Sequence, residues 1–109
     1  MLTQSAKAKW RRLQQWVRDL LLEASDLEED DIKSTSMGAS GEDIQLSPKA
    51  REVYPFSIEC KNSERISIWK AYSQAESNAK GHQPLLIIKR NNHRPLVVMD
   101  AETFIRRLK

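Results

Sequence analysis

The chain has 109 residues, with 30% charged and 6% aromatic side chains and a formal net charge of +3. That length supports one domain with a single core, residues 1–109, and not two. The longest apolar runs, Leu20–Leu22, Leu85–Ile88 and Leu96–Met99, are too short to span a bilayer, and Met1–Ser5 opens no secretion signal. One cysteine excludes an internal disulfide and fits a reducing, cytoplasmic setting.

The charge is unevenly placed. Residues 1–25 carry five basic and two acidic side chains, and residues 26–33 carry one basic and five acidic. From Lys49 onward there are twelve basic and six acidic groups. A basic body around a small acidic centre suits a protein that holds a polyanion outside and a metal inside. No basic strand interleaved with aromatics is present, which argues against stacking of single-stranded bases.

Residues 4–25 read as a helix. Trp10, Leu13, Val17, Leu20, Leu21 and Ala24 fall on one face, and the charged side chains lie largely away from it. Trp10 and Trp16 are expected to pack, with Trp16 off the main stripe. The acidic run Asp26–Asp31 reads as a solvated turn. A first strand is expected over Ile32–Met37, then a small-residue bend at Gly38–Gly41 and a second strand over Asp43–Ser47. Pro48–Glu52 is expected to be a polar hairpin loop, and Val53–Lys61 a third strand.

Within that third strand, Phe56, Ile58 and Cys60 alternate with Ser57, Glu59 and Lys61. Glu59 and Lys61 therefore share a face while Cys60 points inward, as a buried thiol rather than a nucleophile. Asp43 lies sixteen residues ahead of Glu59. Two carboxylates and an ammonium brought together would suit Mg²⁺, with Mn²⁺ as a substitute, and a phosphate. An isolated E-x-K triplet is ordinarily a solvated ion pair, so its force comes from the alternation and from Asp43.

A helix follows from about Ile66 to Lys80, with Asn62–Glu64 as capping residues and Gly81 as its stop. Its face of Ala71, Gln74, Ala75 and Asn78 is mostly small, while Trp69, Tyr72 and Ala79 make the bulkier face. Pro84–Lys89 reads as a central strand covered on both sides. Asn91–His93 is a turn, Pro95–Met99 a strand, and Ala101–Leu108 a helix capped by Asp100. His82 and His93 lack metal-ligand spacing.

The order Gly41-Glu42-Asp43, then Ile58-Glu59-Cys60-Lys61-Asn62, then a helix containing Gln74 resembles the PD-(D/E)XK nuclease superfamily. Within it the chain is most similar to the small archaeal-type Holliday junction resolvases and their viral relatives, across roughly residues 8–107. The resemblance implies an α/β (α+β) fold with a restriction-endonuclease-like core. That core has a leading helix, a three-strand antiparallel meander, a helix, two further strands and a short C-terminal helix.

The resemblance also implies a metal-dependent endonuclease acting on four-way junctions in DNA recombination or repair. Asp43, Glu59 and the Cys60 carbonyl would hold one or two metals, Lys61 would contact the phosphate or the water, and Gln74 would orient the water. Lys49, Arg51, Arg65, Lys70, Lys89 and Arg90 are candidate contacts to branched or duplex DNA. Ser36 and Ser40 are both candidates for the serine that relatives carry before the aspartate. The glutamate that relatives place in the first helix is missing from Arg11–Gln15, so Glu23 or an acid of the 26–31 run would replace it. Symmetric cutting implies a homodimer, its interface expected at Pro95–Met99 and the last helix. The alternatives are nicking or trimming of linear or flapped DNA, or a non-catalytic DNA-binding module.

Overall fold

In the computed structural model, which describes residues 3–35 and 41–108, four helices accompany a five-stranded mixed sheet. In chain order these are helix α1 (Gln4–Glu23), strands β1 (Ile32–Ser34) and β2 (Ile44–Leu46), and helix α2 (Pro48–Val53). Strand β3 (Phe56–Asn62), helix α3 (Ile68–Asn78), strands β4 (Gln83–Lys89) and β5 (Leu96–Val98), and helix α4 (Ala101–Arg107) follow. The strands lie side by side in chain order. β1, β2 and β3 form the expected antiparallel meander, β4 runs parallel to β3, and β5 returns antiparallel on β4. A parallel neighbour needs a crossover, and α3 supplies it. The fold is α+β, as the alternation of patterns in the sequence led one to expect.

The pleat of β3 divides the core into two layers. Ile58 and Cys60 join Leu13 and Val17 of α1 with Ile32, Ile44 and Ile87. Ile32, Ile44 and Ile58 are fully buried, and each such side chain contributes about 1.5–3 kcal/mol relative to exposure. Along this face α1 runs antiparallel to β3. Asn62 Nδ2 donates to the Lys9 carbonyl near one end (3.0 Å), and the Tyr54 hydroxyl donates to the Leu21 carbonyl near the other (2.7 Å). Residues 57, 59 and 61 face the opposite layer, where Ala71 and Ala75 of α3 and its C-cap Ala79 are buried with Leu86.

Three local expectations need correction. Pro48–Glu52 is the body of a helix: Ser47 is its N-cap, its hydroxyl accepting from Ala50 N–H at 3.0 Å, and Pro48 sits in the first turn. That combination favours a helix start, where a proline loses no hydrogen bond. Asn62–Glu64 do not cap α3. Asn62 ends β3, Ser63 N–H continues the pairing to the Lys89 carbonyl, and Glu64 accepts from Asn91 N–H at 2.6 Å. The N-cap of α3 is Ser67, without a side-chain hydrogen bond. Ala79, the C-cap of α3 and expected on its bulkier face, belongs with the buried small residues, while Trp69 is 87% exposed.

Gly81 does close the segment after α3, with φ +88°, and Asp100 caps α4 by accepting from Thr103 N–H at 2.9 Å. That bond and the Thr103 hydroxyl hold the Asp100 carboxyl below its ordinary range. Ser36, Ser40 and the expected bend around residues 38–40 lie outside the described residues. Among the described residues no helix is long and apolar enough to cross a membrane.

Candidate metal and phosphate site

Asp43 stands where β2 and β3 part. Ile44 is the residue of β2 that faces Ile58, yet Asp43 N–H also donates to the Ile58 carbonyl at 3.1 Å. Two residues of one strand against one of its partner is the count of a bulge, which re-aims a side chain. Gly41, at φ +94°, precedes it in a backbone region that L side chains rarely adopt. Thr35 steadies the other side, its N–H donating to the Asp43 carbonyl (2.9 Å) and its hydroxyl to the Glu42 carbonyl (2.7 Å).

So aimed, Asp43 Oδ2 accepts from Cys60 N–H at 2.8 Å. The Glu59 carboxyl hydrogen-bonds to that of Asp43, and Glu59 Oε1 also accepts from Asn78 Nδ2 of α3 at 2.9 Å. Glu59 is pushed up to about 8, first by burial, then by the hydrogen bond and negative charge of Asp43, with Glu42 adding to the repulsion. The Asn78 amide works the other way, because it stabilises the ionised form. Glu59 therefore holds its proton at neutral pH, because ionising it next to the charge of Asp43 is costly without a cation.

Lys61 shares the face of Glu59, two residues on, and is exposed. Among the described residues it enters no ion pair with either acid, which leaves its ammonium free. Cys60 is buried, and its thiol is raised well above the ordinary range, first by burial. It is therefore no nucleophile at neutral pH. Its N–H points toward β2, and a strand residue turns its carbonyl to the same side as its N–H. The Cys60 carbonyl thus faces the space beyond Asp43.

The other candidates divide. Gln74 is exposed and stands one turn before Asn78, and it is Asn78 that reaches Glu59. In the sequence Gln74 and Asn78 share the small face of this helix, with Gln74 expected at the site. The helical phase alone does not say which of two amides meets the strand.

Arg51 is not available to DNA. Its guanidinium grips Glu42 through two bonds of 2.8 and 2.9 Å and donates to the Phe56 carbonyl at 2.6 Å. The Glu42 hydrogen bonds raise Arg51 further above its already high value. Lys89 Nζ donates to the carbonyls of Arg90 and His93, and Arg90 leans on the His93 ring at 3.2 Å. Lys49, Arg65 and Lys70 are exposed.

Neither suggested replacement for the first-helix glutamate is placed at this site. Glu23 ends α1 near Tyr54, toward the far end of β3. In the acidic run, Glu29–Asp31 form a 3-10 turn in which Asp31 accepts from Glu28 N–H and from the Ser47 hydroxyl. Those two hydrogen bonds, Ser47 first, hold Asp31 below the ordinary carboxylate range. The acid that the sequence did not single out is Glu42, neighbour of Asp43 and felt by Glu59. In α1, Gln14 is 1% exposed, and its Nε2 has no hydrogen-bond partner among the described residues.

Among the described residues no group of three or more His, Cys, Asp and Glu side chains is arranged to hold a metal. Mg²⁺ needs fewer, because it keeps waters and takes oxygens from its substrate. Two neighbouring carboxyls with a carbonyl beside them are a hard-oxygen set suited to Mg²⁺ or Mn²⁺. Replacing Asn78 by Ala should raise Glu59 further and move the pH needed for divalent-cation binding upward, with little change in affinity at pH 9. Mn²⁺ titrations across pH check this; an unmoved midpoint would remove Asn78 from the site. Comparison of the chain with protein-family models, with curated proteins and with solved structures returns no match.

Proposed function

We propose that the protein is an intracellular, metal-dependent endonuclease of the PD-(D/E)XK type that acts on branched DNA, four-way junctions above all. The observation that carries this reading is the contact between Asp43 and Glu59 at the β2–β3 fork, with Glu59 pushed up to about 8 and Lys61 free on the same face. A binding-only protein gains nothing from paired, half-buried acids that repel each other. The element order and the antiparallel meander agree with a restriction-endonuclease-like core.

When bound, Mg²⁺ would supply Lewis acidity and a water of lowered pKa. Asp43 and Glu59 would hold the cation, with the Cys60 carbonyl completing the protein's share. Asn78 would fix the Glu59 carboxylate through its amide. Lys61 would meet the non-bridging oxygen of the scissile phosphate or the attacking water, a point charge at the end of a flexible stem. Lys49, Arg65 and Lys70 would contact duplex backbone, which positions without reading sequence.

Paired cuts across a junction need two such sites, and a second copy of this chain would supply the other. β5 is an edge strand with Leu96 and Val97 exposed, and Phe104 and Ile105 of α4 and its C-cap Leu108, a few residues on in the chain, are exposed as well. An apolar edge with unpaired backbone is a surface that pairs with another strand.

The test is cleavage of a synthetic four-way junction against linear duplexes of the same arms, with and without Mg²⁺, alongside light scattering. The junction should be cut at least about tenfold faster, by a dimer, and Asp43→Asn should abolish cutting. Undiminished cleavage by Asp43→Asn would end the assignment. Equal rates on both substrates would favour a linear-DNA nickase, and absence of Mg²⁺ and Mn²⁺ binding a non-catalytic module.

A further inference from the structure

Parallel strands β3 and β4 end together, Asn62 opposite Lys89, and beyond their carboxyl ends lies a cavity of about 300 Å³. Its floor is apolar, made by Ile66 and Ile68 leading into α3, Ile88 of β4 and Leu96 of β5. Its rim is cationic: Lys89, Arg90 and Arg94 stand there with His93, against the single acid Glu64. Glu64 is occupied by Asn91 N–H, and Arg94 enters no ion pair among the described residues. The outer ends of parallel strands are where open α/β sheets place their ligands.

None of Asp43, Glu59 and Lys61 lines the cavity, but its lining residue Ile88 is the direct neighbour of Lys61. Ile88 pairs in register with Lys61, so the two side chains rise from the same face of the sheet. Glu59 lies one side-chain repeat back along β3, about 7 Å. Trp69, the residue after Ile68, is 87% exposed at the start of α3, with Lys70 next in the chain. Trp69 does not line the cavity itself, but its ring stands in water one residue from Ile68, which does, and an exposed aromatic next to an apolar floor and a positive rim matches a nucleotide in both halves of its chemistry. The ring and floor take a base, and the rim takes its phosphate.

We propose that this cavity and Trp69 form a subsite for an unpaired nucleotide flanking the scissile phosphate. The inference rests on the nuclease reading and deepens it. A base must leave its stack to enter, so the subsite favours junctions, flaps and frayed ends over intact duplex, because their bases are already unpaired.

A short oligothymidylate titrated into the intact protein in EDTA tests this without any cutting. The methyl resonances of Ile66, Ile68, Ile88 and Leu96 should shift on binding. Trp69→Ala should weaken binding roughly tenfold, as loss of one stacked base does. Arg94→Ala should lower the slope of log affinity against log salt by about one. Both side chains are exposed, so neither variant should unfold. Methyl resonances unmoved by oligothymidylate, or unchanged affinity in both variants, would overturn the subsite even where Mg²⁺-dependent cleavage is found. Shifts that follow protein concentration alone would overturn it in favour of a second copy of the chain. Methyl shifts in a protein that never cuts would retain the nucleotide subsite and remove only its place beside a scissile phosphate.

Discussion

Glu59→Gln is expected to abolish junction cleavage and, in the same protein, to stabilise the metal-free fold at neutral and alkaline pH. In the unfolded chain this carboxyl ionises near 4.5, whereas the fold holds its proton to about 8. Between those values the folded state binds more protons than the unfolded state. Stability therefore falls as pH climbs from 4.5 towards 8 and levels off above. Glutamine keeps the neutral shape beside Asp43 and carries no charge, so the fall should flatten. The carboxyl is partly exposed, and after that discount the gain at pH 8 is on the order of 1–2 kcal/mol. Denaturant unfolding of both proteins in EDTA at pH 5, 7 and 9 measures it. Loss of one charge-stabilising group should cost cleavage on the order of 10³-fold. A variant that cuts normally, or one less stable than wild type at pH 9, would contradict the raised Glu59 carboxyl and its role.

Divalent-cation binding should be strongly pH-dependent for the same reason. At pH 7 the Glu59 proton must depart when a cation is bound, so close to one proton should be released per ion. Affinity should rise by nearly tenfold per pH unit up to about 8 and flatten above. Calorimetry with Mn²⁺ in buffers of different ionisation enthalpy reads the released proton directly. Stripping the metal should also lower the melting temperature, by an amount that grows with pH, since the ion stabilises only the folded state. An affinity flat from pH 6 to 8, with no buffer dependence, would show that Glu59 is not a ligand.

The alternation around Glu59 left little freedom to the sequence reading. With Phe56, Ile58 and Cys60 on one side, a period of two forces Glu59 and Lys61 to the other, and the structure buries Ile58 and Cys60 against α1 as that period requires. The apolar run of β4 and the Asp100 cap are equally legible, because each is written in neighbouring residues. The α1 stripe holds at Leu13, Val17 and Leu21, whereas Leu20 and Ala24 of the expected face and Trp16, expected to pack, are exposed, and Gln14 is buried in their place.

What the local code could not say concerns partners distant in the chain. Pro48–Glu52 reads as a polar hairpin loop, yet Ser47 and Pro48 carry the signals of a helix start, and α2 forms there. Arg51 looked like a surface cation until Glu42 and the Phe56 carbonyl claimed it. The choice of Asn78 over Gln74 was set by the phase of α3 across β3, a matter of a fraction of a turn.

By itself the sequence determined the α+β element order, the buried face of each main strand and the pair of acids around which any chemistry must be built. Tertiary structure alone decided that the Asp43 bulge turns its carboxyl onto Cys60 N–H and into contact with Glu59, and that Trp69 stays in water one residue from the cationic cavity's Ile68. Periodicity reports which way a side chain leaves its own element. Which groups then meet depends on strand register and helix phase, and those are fixed by packing the whole core at once.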